Sequence, residues 1–137
     1  MDINANILAD ILTHAWEDAP FECCGLIATK DNEATSMHRS INISDKPEVE
    51  FIIDPLELIE QITEFESQGF KLGAIYHSHI CIPAFPSMVD VQFAENWPDV
   101  EWLIVGVGPW QKPVVRSYLI NDEDIRSVDI NVTGGIT

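Results

Sequence analysis

Positive charge is what this chain has least of. Seven lysines and arginines stand against twenty-three aspartates and glutamates, a formal net charge of −16. Nucleic acid and anionic membranes would repel such a surface, so neither is an expected partner. The acidity suits a basic partner surface or high solubility. Cysteine is also scarce. There are three, an odd number, and Cys23 and Cys24 are adjacent. That excludes a disulfide framework and fits a reducing compartment such as the cytoplasm. No apolar run approaches the roughly 18–20 residues that a membrane-spanning helix needs. The opening MDINANILADIL has no basic region before its apolar residues, so it does not read as a signal peptide. Internal repeats, low-complexity tracts and linkers are missing too, so residues 1–137 read as a single domain.

What remains is an ordinary globular composition, 46% hydrophobic and 22% charged. Residues 4–18 have helical periodicity, with Ile7, Leu8, Ile11, Leu12 and Ala15 on one face and Trp16 extending it. Pro20 stops that helix. A strand over 24–29, a turn at Asp31-Asn32 and a strand over 34–43 make a hairpin. A polar loop over 44–49 leads to a short strand over 50–53. Pro55 then opens a second helix. Its apolar stripe is Leu58, Ile59, Ile62 and Phe65, and Gly69 ends it. Residues 71–77 read as the central strand and 87–96 as a short helix. Strands follow over 101–107, 114–120 and 125–132, the last a weak edge strand. His14 and His38 are assigned surface or capping positions. Cys23 and Cys24 are read as small buried apolar residues rather than nucleophiles.

The informative stretch is Ala74–Asp90, AIYHSHICIPAFPSMVD. Side chains at i and i+2 of a strand point the same way, so His77 and His79 project from one face. Two imidazoles so placed suit neighbouring ligands of a tetrahedral zinc. Pro83 and Pro86 make the next segment a loop. Ser87 reads as a helix N-cap, with Asp90 in the first turn. Such a loop can carry Asp90 back over the strand as a third ligand. Three protein ligands with an open fourth position are the pattern of a catalytic zinc site. Cys81, two residues beyond His79, is an ordinary loop cysteine by default, although its thiolate could reach the metal as a fourth ligand.

His77-Ser78-His79, seven residues, Ser87, two residues and Asp90 form a pattern that resembles the JAMM (MPN+) zinc metalloproteases. The family's upstream glutamate, in a P-x-E-x-C-G context, is matched by Pro20-Phe21-Glu22-Cys23-Cys24-Gly25. Asn42-Ile43, Phe51–Pro55 and the apolar run 102–107 are similar as well. The resemblance covers roughly residues 5–130 and is nearest the single-domain prokaryotic members. One departure is Ile80, where the family usually has proline.

The resemblance implies an α/β, cytidine-deaminase-like JAMM/MPN fold: a curved, mixed, mainly antiparallel sheet with helices packed around it. It implies one Zn2+ held by His77, His79 and Asp90. By itself Glu22 would pass for an exposed acid; the resemblance makes it the general base. Ser87 becomes the hydrogen-bond donor to the developing oxyanion. The implied substrate is the bond after the C-terminal glycine of a ubiquitin-like or sulfur-carrier protein ending in Gly-Gly. Two alternatives share the fold: a phage tail assembly peptidase component, and a catalytically silent MPN interaction module. The chain's own Gly134-Gly135 is expected to be a flexible terminus. Oligomeric state is not legible.

Overall fold

Alternating strand and helix signals resolve into one curled sheet with helices on both faces. The computed structural model describes residues 1–109 and 111–134. In chain order the elements are β1 (Asp2–Asn4), α1 (Ala5–Asp18), β2 (Cys24–Lys30), β3 (Glu33–Ser40), α2 (Pro55–Ser67) and β4 (Lys71–Ile80). They continue with α3 (Met88–Ala94), β5 (Glu101–Gly108), β6 (Gln111–Asn121), β7 (Asp124–Val128) and β8 (Asn131–Thr133). The eight strands lie in the order β7-β6-β5-β4-β2-β3-β1-β8. The β2–β3, β2–β4, β5–β6 and β6–β7 pairs are antiparallel, whereas β4–β5, β1–β3 and β1–β8 are parallel. Strands β7 and β8 sit at opposite ends of that order, yet Asp129 and Ile130 alone separate them in the chain. The sheet therefore curls until its ends approach. Where the chain crosses between those ends, the Met1 ammonium donates to the Asp129 carbonyl at 3.0 Å and lies 3.5 Å from Glu101 of β5.

Strand β5 is buried along its whole length, as expected of a parallel-paired strand covered on both faces. Its alternation divides the core. Trp102 and Ile104 face Phe51, Leu58, Phe65 and Ala94 beneath α2 and α3. Leu103 and Val105 face Ile11, Ala15, Ile27 and Tyr76 beneath α1. Each fully buried leucine, isoleucine, valine or phenylalanine among them contributes about 1.5–3 kcal/mol by leaving water.

Several elements differ from their sequence-based bounds, each for a physical reason. Asn4 is not the first helical residue of α1 but its N-cap, accepting the Asn6 N–H at 2.7 Å. The strand before it is too short to show periodicity. Trp16 is 47% exposed while His14 is buried. The centre of the buried face runs through Ile7, Ile11, His14 and Ala15, so His14 points inward and Trp16 falls on the solvent side of the helix. His14 therefore has no surface or capping role: Nδ1 meets the Tyr76 hydroxyl at 2.7 Å and Nε2 lies 3.1 Å from Asp18. His38 caps nothing either; it is half-buried, with its ring 4.8 Å from that of Phe65. On α2, Leu58 and Phe65 are buried and Ile59 is exposed. Residues 50–53 are extended without joining the sheet, held by the Ile43 N–H to Ile52 O bond and by Asn42. The last weak strand divides in two, because 129–130 cross the seam. Gly135 of the terminal glycine pair lies outside the described residues.

Candidate active site

Strand β4 lies between β2 and β5 and extends to Ile80, so His77 and His79 stand near the C-terminal end of a central strand. They share a face, as the alternation requires. His77 is fully buried, and its ring lies 4.5 Å from that of Phe51 and 6.2 Å from that of Trp102. His79 is 2% exposed. Its Nδ1 lies 2.8 Å from the Pro83 carbonyl, which can only accept. That bond puts the proton on Nδ1 and leaves a lone pair on Nε2.

The start of α3 supplies the facing carboxylate. The Ser87 side chain accepts the Asp90 N–H at 3.1 Å, and Asp90 Oδ2 accepts the Ser87 N–H at 2.9 Å. This reciprocal cap fixes both residues and aims Asp90 at the histidines. Asp90 Oδ2 lies 3.1 Å from His77 Nε2 and 3.3 Å from His79 Nε2. The two Nε2 atoms are 3.0 Å apart. Three electron-rich atoms crowded this closely away from water call for a cation between them. A tetrahedral zinc with bonds of 2.0–2.2 Å separates its ligands by about 3.3–3.5 Å, so the donor set fits that ion with little adjustment.

Glu22 precedes β2 and is buried, contrary to what the residue by itself suggests. One ligand atom each from Glu22, His77 and His79 lies within 4.8 Å of the others. Glu22 Oε2 and His77 Nδ1 have no hydrogen-bond partner among the described residues. The backbone of Glu22, by contrast, is tightly held. Its N–H donates to Pro47 O at 2.7 Å, and its carbonyl accepts Asn42 Nδ2 at 3.0 Å. Asn42 also donates to Glu50 O and accepts from the Ser44 and Ile52 N–H groups. Sequence reasoning misses this junction; its only signal there is Asn42 in a family-like dipeptide.

Burial raises the Glu22 carboxyl to about 8, the neighbouring Asp90 and Glu50 adding to the rise and His79 opposing it. Burial also holds the His77 imidazole low. His79 is lowered by burial too, but its bonds to Asp90 and Pro83 outweigh this and its pKa ends up raised. Burial raises Asp90, yet His77, His79 and the Ser87 N–H overcome it and hold the carboxyl far below the usual range. Cys23 and Cys24 are fully buried, and burial pushes the Cys23 thiol up to about 12, so neither behaves as a nucleophile. Cys81 is exposed and outside the Glu22–His77–His79 group. The loop after Ile80 is pinned without the family's proline. Ile80 stays in register with Val107, the Cys81 N–H donates to Val107 O at 2.8 Å, and the Tyr118 hydroxyl donates to Ala84 O at 2.7 Å.

A curled mixed sheet bearing a histidine pair that faces a helix-start aspartate belongs to the JAB/MPN class of domains. A JAB1/MPN domain protein from Archaeoglobus fulgidus shares the fold with a TM-score of 0.66 at 19% identity, covering 98% of this chain and 100% of the other. A protein from Desulfitobacterium hafniense reaches 0.84 at 25% identity over 98% and 94%. Within that class, residues 4–121 match the prokaryotic homologs of the JAB domain, and the chain belongs to that family. It is 31% identical over 103 residues to a desampylase of Pyrococcus furiosus, covering 75% of this chain and 69% of the relative. It is 27% identical over 131 residues to the CysO-cysteine peptidase of Mycobacterium tuberculosis, covering 95% and 89%.

Proposed function

We propose that the chain is a zinc-dependent peptidase or isopeptidase. Its substrate is the bond that follows the C-terminal glycine of a ubiquitin-like or sulfur-carrier protein with a Gly-Gly tail. The observation that carries this reading is the 3.0–3.3 Å triangle of His77 Nε2, His79 Nε2 and Asp90 Oδ2 beside a buried, unpartnered Glu22 Oε2. Relatives named desampylase and CysO-cysteine peptidase support a hydrolase acting on protein-linked substrates. His77, His79 and Asp90 would hold the metal. Zinc bound there would supply a water of near-neutral pKa and Lewis-acid polarisation of the scissile carbonyl.

The chain's own groups do the rest. The Pro83 carbonyl holds the proton of His79 on Nδ1 and so keeps Nε2 free to ligate. Glu22 Oε2 accepts a proton from the attacking water and returns it to the leaving amine. The Ser87 side-chain oxygen already accepts from Asp90, and its hydroxyl hydrogen donates to the carbonyl oxygen as that atom becomes negative. No helix among the described residues is long and apolar enough to cross a membrane. The exposed Cys81 thiol suits a reducing cytoplasm.

The test is the metal content of wild type and His77→Ala, followed by hydrolysis of a Gly-Gly-terminated ubiquitin-like protein joined through its last glycine to cysteine. About one zinc per chain, lost in the variant along with hydrolysis, is the expected result. A wild type that takes up no zinc near neutral pH overturns the reading.

A further inference from the structure

We infer that Ser78, between the two histidines, is a positioning residue that sets the direction of Glu22. The inference rests on Glu22 acting as the base. Strands β2 and β4 are antiparallel with Cys24 opposite His77, so the next pair outward is Cys23 with Ser78. A hydrogen-bonded pair in such a ladder exchanges two N–H to carbonyl bonds. This one makes only half of that exchange through backbone. The Ser78 N–H donates to Cys23 O at 3.1 Å, but the Cys23 N–H donates to Ser78 Oγ, at 2.8 Å. A hydroxyl thus replaces the carbonyl of the last rung.

The consequence falls on the preceding residue. With the outermost rung completed by a side chain, the β2 ladder begins only after this point and Glu22 stays outside it, its own N–H and carbonyl turned to Pro47 and Asn42. Four hydrogen bonds then hold the Glu22-Cys23 backbone, while the Glu22 carboxylate stays free beside the histidines. Ser78 is fully buried, and strand alternation places its side chain on the face away from His77 and His79. It therefore touches no ligand atom and acts through the Cys23 amide. Alanine could fill this buried site without a polar group to satisfy. A serine there is accounted for by the bond it makes.

Ser78→Ala and Ser78→Thr test this, read by zinc content, amide hydrogen exchange and hydrolysis of the Gly-Gly–cysteine probe. In Ser78→Ala, zinc content is unchanged and Cys23 amide exchange is accelerated at least about tenfold while Ile27 stays protected. At the same time kcat falls about 10–100-fold at unchanged KM, the size of loss typical when a supporting hydrogen bond is removed. Threonine, which keeps the acceptor, restores protection and rate. In a Glu22→Gln background Ser78→Ala costs nothing further, because its effect passes through Glu22. Zinc loss in Ser78→Ala, or an equal loss of rate in the Glu22→Gln background, overturns the inference. So does a Cys23 amide that exchanges freely in the wild type, a measurement that needs no folded variant. A wild type that binds zinc yet leaves the probe intact sinks the function reading instead, and Cys23 exchange still reports whether the Ser78 contact exists.

Discussion

Glu22 combines two properties that rarely coexist in a side chain that does no chemistry. It is buried, and one of its carboxylate oxygens has no partner among the described residues. Without metal its pKa near 8 keeps it protonated at neutrality. A cation held by the neighbouring histidines would favour the charged form and pull that value down into the range of a working base. Glu22→Gln is therefore expected to retain zinc while hydrolysis drops by about 10²–10⁴-fold. Parallel metal analysis and rate measurement check this, and a variant of near wild-type rate would remove Glu22 from the mechanism. The metal-free protein gives a second expectation. Its folded state holds the Glu22 proton up to about pH 8, whereas the unfolded chain releases it near 4.5. Between those values the folded state binds more protons, so stability falls as pH rises, and the penalty vanishes below the lower value. Urea midpoints in chelator at pH 5 and pH 8 should show that decline in wild type and a flatter response in Glu22→Gln.

At the scale of elements, the site depends on three backbone constructions: a central strand, a reciprocal helix cap and a clamped junction. Ser87 and Asp90 are legible as a helix start because serine followed three residues later by an acid is a local signal. That the same Asp90 oxygen faces both histidines is decided by the intervening loop. On the opposite face of the sheet, Gly25 shows how tightly the strands are matched. A Cβ there would run into the ring and hydroxyl of Tyr76, a fully buried residue whose hydroxyl is bonded to His14. Gly25→Ala should cost about 1–3 kcal/mol, the usual penalty of overpacking. Urea unfolding measures it. A loss below about 0.5 kcal/mol, the range of neutral surface changes, would mean that the ring shifts freely. His14 escapes the sequence reading because apolar residues alone define its helix face there, whereas a histidine bonded on both ring nitrogens is tolerated inside.

Across the whole molecule, charge is the property that matters most. With −16 on 137 residues, acidic side chains repel one another and salt relieves that repulsion. Raising sodium chloride from about 0.05 to 0.5 M should lift the melting temperature by a few degrees, the Debye length shrinking from roughly 14 to 4 Å. A fall would mean that favourable pairs such as Arg39–Glu17 matter more than the repulsion.

Local order along the chain determined a good part of this protein. Helical and alternating periodicities placed α1, α2 and most strands, because burial of one face is written into residue spacing, and the Ser87 cap signal placed α3. Fixed spacing and family resemblance singled out Glu22, His77, His79, Ser87 and Asp90 as candidates. The tertiary structure decided what spacing cannot express. It set the parallel β4–β5 and β1–β8 pairings, both of which join segments whose pairing no local pattern records. It buried Glu22, which by composition is merely one acid among twenty-three. It also gave Ser78 and Asn42 their work, since a hydrogen bond to the backbone of another segment leaves no periodic trace in the sequence. Burial patterns repeat along a chain and can be read from it; single contacts between remote segments exist only once the sheet has curled.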